Sequence, residues 1–109
     1  MRRTALHRKR HSDPVSTEDR ADVLSRDRGC VLASLEPGHV CRDIFGNAHA
    51  PGDLARLTLE HIHMDGSMMG KRAPSTPDSM VALCGLANNR PPSRVQRELM
   101  RTYLRGLHA

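Results

Sequence analysis

Large aromatic side chains are almost missing from this chain of 109 residues, which contains one Phe, one Tyr and no Trp. Aromatic residues usually supply much of the apolar area that a core buries, so Leu, Val and Met must fill the interior here. The length fits one domain that buries roughly two-thirds of its unfolded surface. We therefore expect a thin core, which a bound metal ion would help to hold together.

Basic residues are concentrated at the two ends of the chain. Residues 1–16 and residues 90–109 each contain five basic residues and one acidic residue, whereas residues 17–89 contain seven basic and ten acidic residues. Basic ends attract a polyanion such as DNA, and the acidic middle can host a cation. The alternative is that the basic ends only keep the protein in solution.

Neither a secretory signal nor an apolar run of about 18 residues is visible, so we expect a cytoplasmic location and no membrane partner. The chain has three cysteines, Cys30, Cys41 and Cys84. In a reducing compartment cysteines are more often metal ligands or core residues than disulfides.

Hydrophobic periodicity and turn residues predict an α+β domain over residues 17–109, preceded by a disordered basic arm over residues 1–16. A surface helix should begin at Ser16 or Thr17 and end at Gly29, followed by loops and short strands as far as Asp53. The later elements are predicted as strand ARLTLEHIH (55–63), a loop (63–78), strand SMVALC (79–84), a short helical turn GLANNR (85–90) and a last helix (93–107).

The last helix has the clearest signal, because Ser93 and Gln96 form a capping box after two prolines. One half of this helix is apolar and is expected to pack on the domain: Val95, Leu99, Met100, Tyr103, Leu104 and Leu107. A narrow stripe on the other half is basic: Arg94, Arg97, Arg101 and Arg105. This stripe is either a solvated face or a phosphate-binding surface.

The segment LTLEHIHMDG ends an apolar run with Glu60, His61 and His63. These residue types suit a metal-dependent nuclease site, a structural zinc site or merely a polar strand end. Further motifs surround the segment in a fixed order: RDRGC (26–30), EHI (60–62), SMVALC (79–84) and GLAN (85–88). In this order and spacing, residues 24–90 resemble the HNH endonucleases, particularly the small phage and bacterial ones.

The resemblance implies a ββα-metal core, in which two strands and a short helix surround one divalent ion. Glu60 corresponds to a metal ligand, His61 to the general base and Asn88 to the second ligand, with Asn89 as an alternative register. Oxygen ligands suit Mg²⁺ or Mn²⁺, and a neutral imidazole can accept a proton near pH 7. Neighbouring residues of a strand point to opposite faces. Glu60 and His61 can therefore reach the same phosphate only if the strand ends or bulges there.

The implied activity is hydrolysis of phosphodiester bonds in double-stranded DNA, which leaves a 5′-phosphate. Phosphate contacts are predicted at Arg90, Arg94, Lys71 and Arg72, with His63 in a supporting position. Small phage HNH proteins often act beside the packaging terminase, so the resemblance also implies a protein partner of that kind.

The sequence departs from the HNH pattern at two places. Ser79 stands where the family usually has Asn, and the second cysteine of each expected C-x-x-C pair is absent. A tetrahedral zinc site can still form from three cysteines and one histidine; otherwise the cysteines are small buried hydrophobes. The candidate zinc ligands are Cys30, Cys41, Cys84 and either His39 or His49.

Two functions compete with the nuclease. The first is a noncatalytic, zinc-stabilised module that binds nucleic acid through the basic ends. The second is an interaction protein whose C-terminal helix docks on a partner. The pair Glu60 and His61 favours the enzyme, whereas the missing cysteines favour neither alternative.

Overall fold

The computed structural model describes residues 15–64 and 74–107. In these ranges the elements follow the order α1 (Thr17–Asp27), α2 (Val31–Leu35), β1 (Leu57–His61), β2 (Met80–Cys84), α3 (Gly85–Asn89) and α4 (Arg94–Leu107). This mixture of helices with a two-stranded sheet agrees with the predicted α+β class. Residues 1–14 of the predicted arm lie outside the described residues, as do Lys71 and Arg72.

Helix α1 begins at its predicted cap and ends at a left-handed residue. The Ser16 side chain accepts a hydrogen bond from the Asp19 backbone N–H (3.0 Å). At the other end, Arg28 has a φ of 59° and donates its N–H to the Leu24 carbonyl. The helix lies at the surface as predicted, with Val23 as its one buried residue.

Arg26 and Asp27 tie α1 to the edge of β2. Asp27 Oδ2 accepts the Ala82 backbone N–H (2.9 Å), and Arg26 donates to the carbonyls of Met80 (2.6 Å) and Pro77 (2.7 Å). The guanidinium and the carboxylate also bond each other at 2.7 and 3.0 Å. These two side chains therefore satisfy backbone groups along the edge of β2.

Strands β1 and β2 pair antiparallel in a regular register from Leu57↔Cys84 to His61↔Met80. All five residues of β2 are buried, whereas β1 is half-buried beyond Leu57, so β2 lies at the centre of the core. Both strands begin later than predicted, because short 3-10 turns precede them at Leu54–Arg56 and Pro77–Ser79, and β1 also ends at His61, before the predicted His63. The rest of the buried core consists of Val23, Cys30, Val31, Leu32, Cys41, Ile62, Met100 and Leu104.

Helix α2 lies where the sequence predicts loops and short strands. Val31 and Leu32 are its buried residues, and Pro37 and Gly38 follow soon after its end. Five residues make little more than one helical turn, which is too short for a periodic pattern to show. Short strands are absent from the described segment 30–53, which contains only the isolated bridge Arg42↔Ala48.

Helix α4 begins with the predicted capping box. Ser93 Oγ accepts the Gln96 N–H (3.1 Å), and Gln96 Oε1 accepts the Ser93 N–H (2.9 Å). In the two described ranges, no helix is long and apolar enough to cross a lipid bilayer.

Two expectations about the faces of α4 are wrong. Val95 and Leu107 are 69% and 43% exposed, because only the middle of the helix reaches the buried core. Arg101 belongs to neither a solvated nor a phosphate-binding stripe. It is 5% exposed, and its guanidinium pairs with Glu98 (3.0 Å).

Candidate metal centres

Three cysteines and one histidine converge at one side of the core. The ligand atoms of Cys30, His39, Cys41 and Cys84 all lie within 4.8 Å of one another. His39 Nε2 lies 3.7 Å from Cys30 Sγ and 3.5 Å from Cys84 Sγ. Tetrahedral zinc with ordinary bond lengths places nitrogen and sulfur ligands roughly 3.5 Å apart. This Cys3His cluster can therefore hold a metal ion such as zinc.

Local backbone structure explains how Cys30 and Cys84 meet. Each directly precedes a helix, α2 and α3 respectively. The Cys30 N–H donates to the Pro51 carbonyl (3.1 Å), an approach that requires glycine before it, because a Cβ on Gly29 would lie 2.8 Å from the Pro51 oxygen. The Cys84 N–H donates to Cys30 Sγ (3.4 Å), and such a bond favours the thiolate that a metal binds.

The structure separates the two candidates for the fourth ligand. His39 belongs to the cluster, whereas His49 does not. His49 is tied to the backbone instead: its N–H donates to the Cys41 carbonyl (3.0 Å), and its Nδ1 donates to the Ala50 carbonyl (2.8 Å). Its Nε2 is buried and has no hydrogen-bond partner in the described part of the chain.

A carboxylate faces the second nitrogen of His39. Glu36 Oε1 lies 3.7 Å from His39 Nδ1, and the two Glu36 oxygens accept hydrogen bonds from Gln96 Nε2 at 3.1 and 3.2 Å. Metal-bound histidines usually have such a partner, which fixes the orientation of the ring. Because Gln96 also caps α4, this contact connects the Cys3His cluster to the last helix.

Burial favours the protonated thiols of Cys30 and Cys41 when no metal is bound. Burial raises the pKa of Cys30, and burial followed by the neighbouring Cys30 raises the pKa of Cys41 to about 12. A metal ion must displace these protons, so its binding should weaken at low pH. Four protein ligands leave no open coordination position, which is the arrangement of structural rather than catalytic zinc.

Glu60 lies half-buried on β1. Burial raises the pKa of Glu60 to about 7, and Arg97 on α4 opposes this shift. The carboxyl group therefore holds its proton more tightly than an exposed one, and a cation beside it would favour the charged form. Among the described residues, Arg97 forms no side-chain hydrogen bond or ion pair. From the sequence, Arg97 was predicted only as one of four arginines on one side of the last helix. Its proximity to Glu60 could not be predicted, because it depends on how α4 packs.

Strand β1 ends at His61 without a bulge. The register is regular to this last residue, so Glu60 and His61 leave opposite faces of the strand. His61 Nε2 lies 3.1 Å from Ser75 Oγ. Burial, and then His63, lower the pKa of His61 below its ordinary value, so the imidazole is neutral at pH 7. The neutral form of His61 suits a general base. The regular strand pairing, however, does not bring the Glu60 and His61 side chains to one face.

Asn88, rather than Asn89, faces β1. Asn88 Nδ2 donates to Thr58 Oγ1 (2.8 Å) and to the Leu59 carbonyl (3.0 Å), so its carboxamide lies against the peptide that leads into Glu60. Thr58 and Glu60 share one face of the strand. Both Nδ2 hydrogens are used, which leaves Oδ1 as the atom that can bind a cation. Asn89 is exposed.

The other predicted phosphate contacts are partly described. Arg90 is exposed directly after α3, and Arg94 is exposed at the start of α4. His63 is half-buried two residues beyond β1. Lys71 and Arg72 lie outside the described residues.

No protein-family model matches the chain, and neither a curated protein nor a solved structure matches it.

Proposed function

We propose that this protein is a metal-dependent DNA endonuclease of the HNH type, stabilised by a structural zinc ion. One observation carries the proposal. The Asn88 carboxamide, on the helix that directly follows β2, lies against the peptide that leads into Glu60 on β1. Two antiparallel strands and a helix are the elements of a ββα-metal core, and these two residues are the ligands that the HNH resemblance assigns.

The donors at this position fit Mg²⁺ or Mn²⁺. The Glu60 carboxylate and the Asn88 amide oxygen are hard oxygen ligands, and Mg²⁺ keeps several waters and needs few protein ligands. A buried carboxyl group whose pKa is about 7 is disfavoured in its charged form. A cation bound there would offset that penalty.

Different groups of the protein have different roles in the hydrolysis of DNA. A bound ion would supply Lewis-acid stabilisation of the phosphate and of the leaving 3′ oxygen. His61, neutral at pH 7, accepts a proton from the attacking water. Arg90 and Arg97 bind phosphates of the DNA backbone. Because His61 leaves the opposite face from Glu60, its imidazole must reach the phosphate around the end of β1.

A noncatalytic, zinc-stabilised module that binds nucleic acid is the second candidate. The regular register at Glu60 and His61 favours it, because a shared catalytic site would need the two side chains to converge. The complete Cys3His cluster is equally suited to such a module. It would bind DNA through the same basic residues and would cleave nothing.

Nicking of a supercoiled plasmid distinguishes the two candidates. The zinc-loaded protein is incubated with plasmid in the presence of Mg²⁺, of Mn²⁺ or of no added divalent ion. We expect nicked circles only when a divalent ion is added. His61→Ala should slow nicking at least about 100-fold, the usual contribution of a general base. The matched control is His63→Ala, a neighbouring histidine whose loss should slow nicking far less.

DNA binding is measured in parallel by gel shift for the same three proteins. If the wild type and His61→Ala both bind DNA but neither nicks it with either ion, the noncatalytic module is correct. If His61→Ala nicks as fast as the wild type, His61 is not the base.

A further inference from the structure

The only Phe of the chain lies on the surface instead of in the core. Phe45 is 81% exposed, and Ile44 beside it is 56% exposed. Burying a Phe side chain contributes about 1.5–3 kcal/mol to folding. The core does not gain this free energy from Phe45. Two adjacent exposed apolar side chains in a chain so poor in aromatics indicate a surface that a ligand covers.

The turn that carries Phe45 is held by hydrogen bonds of the Asp43 side chain. Asp43 Oδ1 accepts the backbone N–H groups of Phe45 and Asn47, both at 2.9 Å. The other Asp43 oxygen accepts a hydrogen bond from Arg56 (3.0 Å). Gly46 completes the turn with a φ of +89°, a conformation that favours glycine. A ring on such a pre-organised turn loses little conformational entropy when it binds.

The same turn is joined to the helix that carries Asn88. The Arg42 carbonyl accepts the Leu86 N–H of α3 (2.9 Å). Ile44 and Asn88 line one shallow hollow of about 310 Å³. The turn that carries Phe45 therefore lies beside the helix of the proposed nuclease site.

Two arginines near the turn are available for phosphates. Arg42 and Arg90 line one cleft of about 420 Å³, and Arg42 Nη1 is held on the turn by a hydrogen bond to a backbone carbonyl (2.8 Å). Neither arginine forms an ion pair in the described ranges. The nearby acids Asp43 and Asp53 are already paired with Arg56, at 3.0 and 3.5 Å.

We propose that Phe45 stacks on a nucleobase of bound DNA while Arg42 and Arg90 bind the adjacent phosphates. The inference depends on the proposed nuclease function, which supplies DNA as the ligand. DNA-binding proteins insert apolar side chains between base steps, and aromatic rings stack on bases with little sequence preference. Unpaired arginines near the turn favour DNA over an apolar protein surface, because phosphates complement their charge.

A Trp reporter tests the contact directly, because the chain has no Trp of its own. Phe45→Trp is combined with His61→Ala in the full zinc-loaded chain, and Trp emission is followed while a duplex oligonucleotide is added. We expect quenching upon binding. The control is Leu107→Trp in the same background, since Leu107 is also exposed and lies about 16 Å along α4 from Gln96 in the cleft.

Affinity for the duplex gives a second readout. Phe45→Ala should weaken binding at least about fivefold, which corresponds to the lower limit of one stacked base. Its salt dependence should not change, because no charge is removed. Arg42→Ala should instead lower the slope of log affinity against log salt by about one. Leu107→Ala is the control for both.

The inference is overturned if Trp emission at position 45 does not respond although the protein binds DNA, or if Phe45→Ala binds as tightly as Leu107→Ala. It is also overturned if wild type sediments as a dimer and Phe45→Ala as a monomer, because Phe45 would then cover a second copy of the chain. Plasmid nicking that persists in these cases leaves the proposed function intact. Wild-type protein that neither binds nor nicks DNA contradicts both.

Discussion

Glu60 lies half-buried in a position where no described residue pairs with its carboxylate. Arg97 is the cation that most affects it, but the two do not form an ion pair within the described ranges. A buried charge without a partner is unfavourable, so the folded protein holds the proton of Glu60 more tightly than the unfolded chain. A divalent cation bound by Glu60 and Asn88 would remove this penalty.

The pH dependence of stability tests the burial of Glu60. Its pKa is raised from 4.5 to about 7, so the folded state binds more protons than the unfolded state between these values. Stability contributed by this group therefore falls as pH rises from about 4.5 to about 7. We expect zinc-loaded Glu60→Gln, measured without Mg²⁺ or Mn²⁺, to gain stability relative to wild type across that window.

Urea unfolding at several pH values gives the difference between the two proteins. The difference cancels the opposite trend from His61, whose lowered pKa makes stability rise with pH below its ordinary value. A difference that stays flat from about 4.5 to about 7 would show that Glu60 is not buried as described.

Glu36 is predicted to position His39 for the metal. Glu36→Gln removes the charge that faces His39 Nδ1, and loss of such a partner typically weakens metal binding by about 10–100-fold. Competition with a zinc chelator measures the change. The control is Glu98→Gln, because Glu98 pairs with Arg101 away from the cluster. Equal affinities for the two variants would argue against a positioning role.

The sequence identified the three cysteines of the cluster but could not choose the histidine. His39 and His49 both lie within eight residues of Cys41 in a segment rich in glycine and proline, so spacing alone does not separate them. The choice depends on the path of the backbone, which directs His49 toward the Ala50 carbonyl. The exposure of Phe45 was equally invisible, since an isolated Phe usually indicates a core position.

At the scale of elements, Asp27 connects three parts of the fold. Its carboxylate accepts hydrogen bonds from Arg26 on α1, from the Ala82 backbone of β2 and from Tyr103 of α4 (2.5 Å). The Asp27 side chain is fully buried. The Arg26 and Asp27 side chains bond backbone groups along the edge of β2 that would otherwise need a third strand. This is the structural reason for an Arg-Asp pair at this point of the sequence.

Removing this carboxylate should be among the most damaging single changes. Asp27→Ala leaves the partly buried Arg26 without its carboxylate and the Ala82 N–H without its acceptor, and breaking a buried pair typically costs about 3–5 kcal/mol. Tyr103→Phe removes one hydrogen bond and should cost about 1.5–3 kcal/mol, because the acceptor is charged. The free energy of unfolding in urea measures both. Similar losses for the two variants would contradict the central role of Asp27.

Elements with local signals were predictable, and those that depend on tertiary contacts were not. The Ser16 cap, the capping box at Ser93 and the alternation in β1 involve neighbours within a few residues, so the sequence indicates them. The burial of Arg101 depends on packing between distant segments, and helix α2 is too short for periodicity. The ββα-metal core stays a prediction.

At the scale of the whole molecule, the Cys3His cluster joins segments that are far apart in sequence. Cys30 and Cys84 are 54 positions apart, and the cluster reaches α4 through His39, Glu36 and Gln96. Structural zinc typically contributes about 10–16 kcal/mol of binding free energy, which is comparable to the entire stability of a small domain. With so few aromatic residues, this protein should depend on the metal for its fold.

Native mass spectrometry of the protein, purified without added metal, tests this claim most directly. The account predicts one zinc ion per chain in the compact, low charge states, and only highly charged, unfolded species once a chelator has removed the zinc. A compact protein that carries no metal in the low charge states would contradict it.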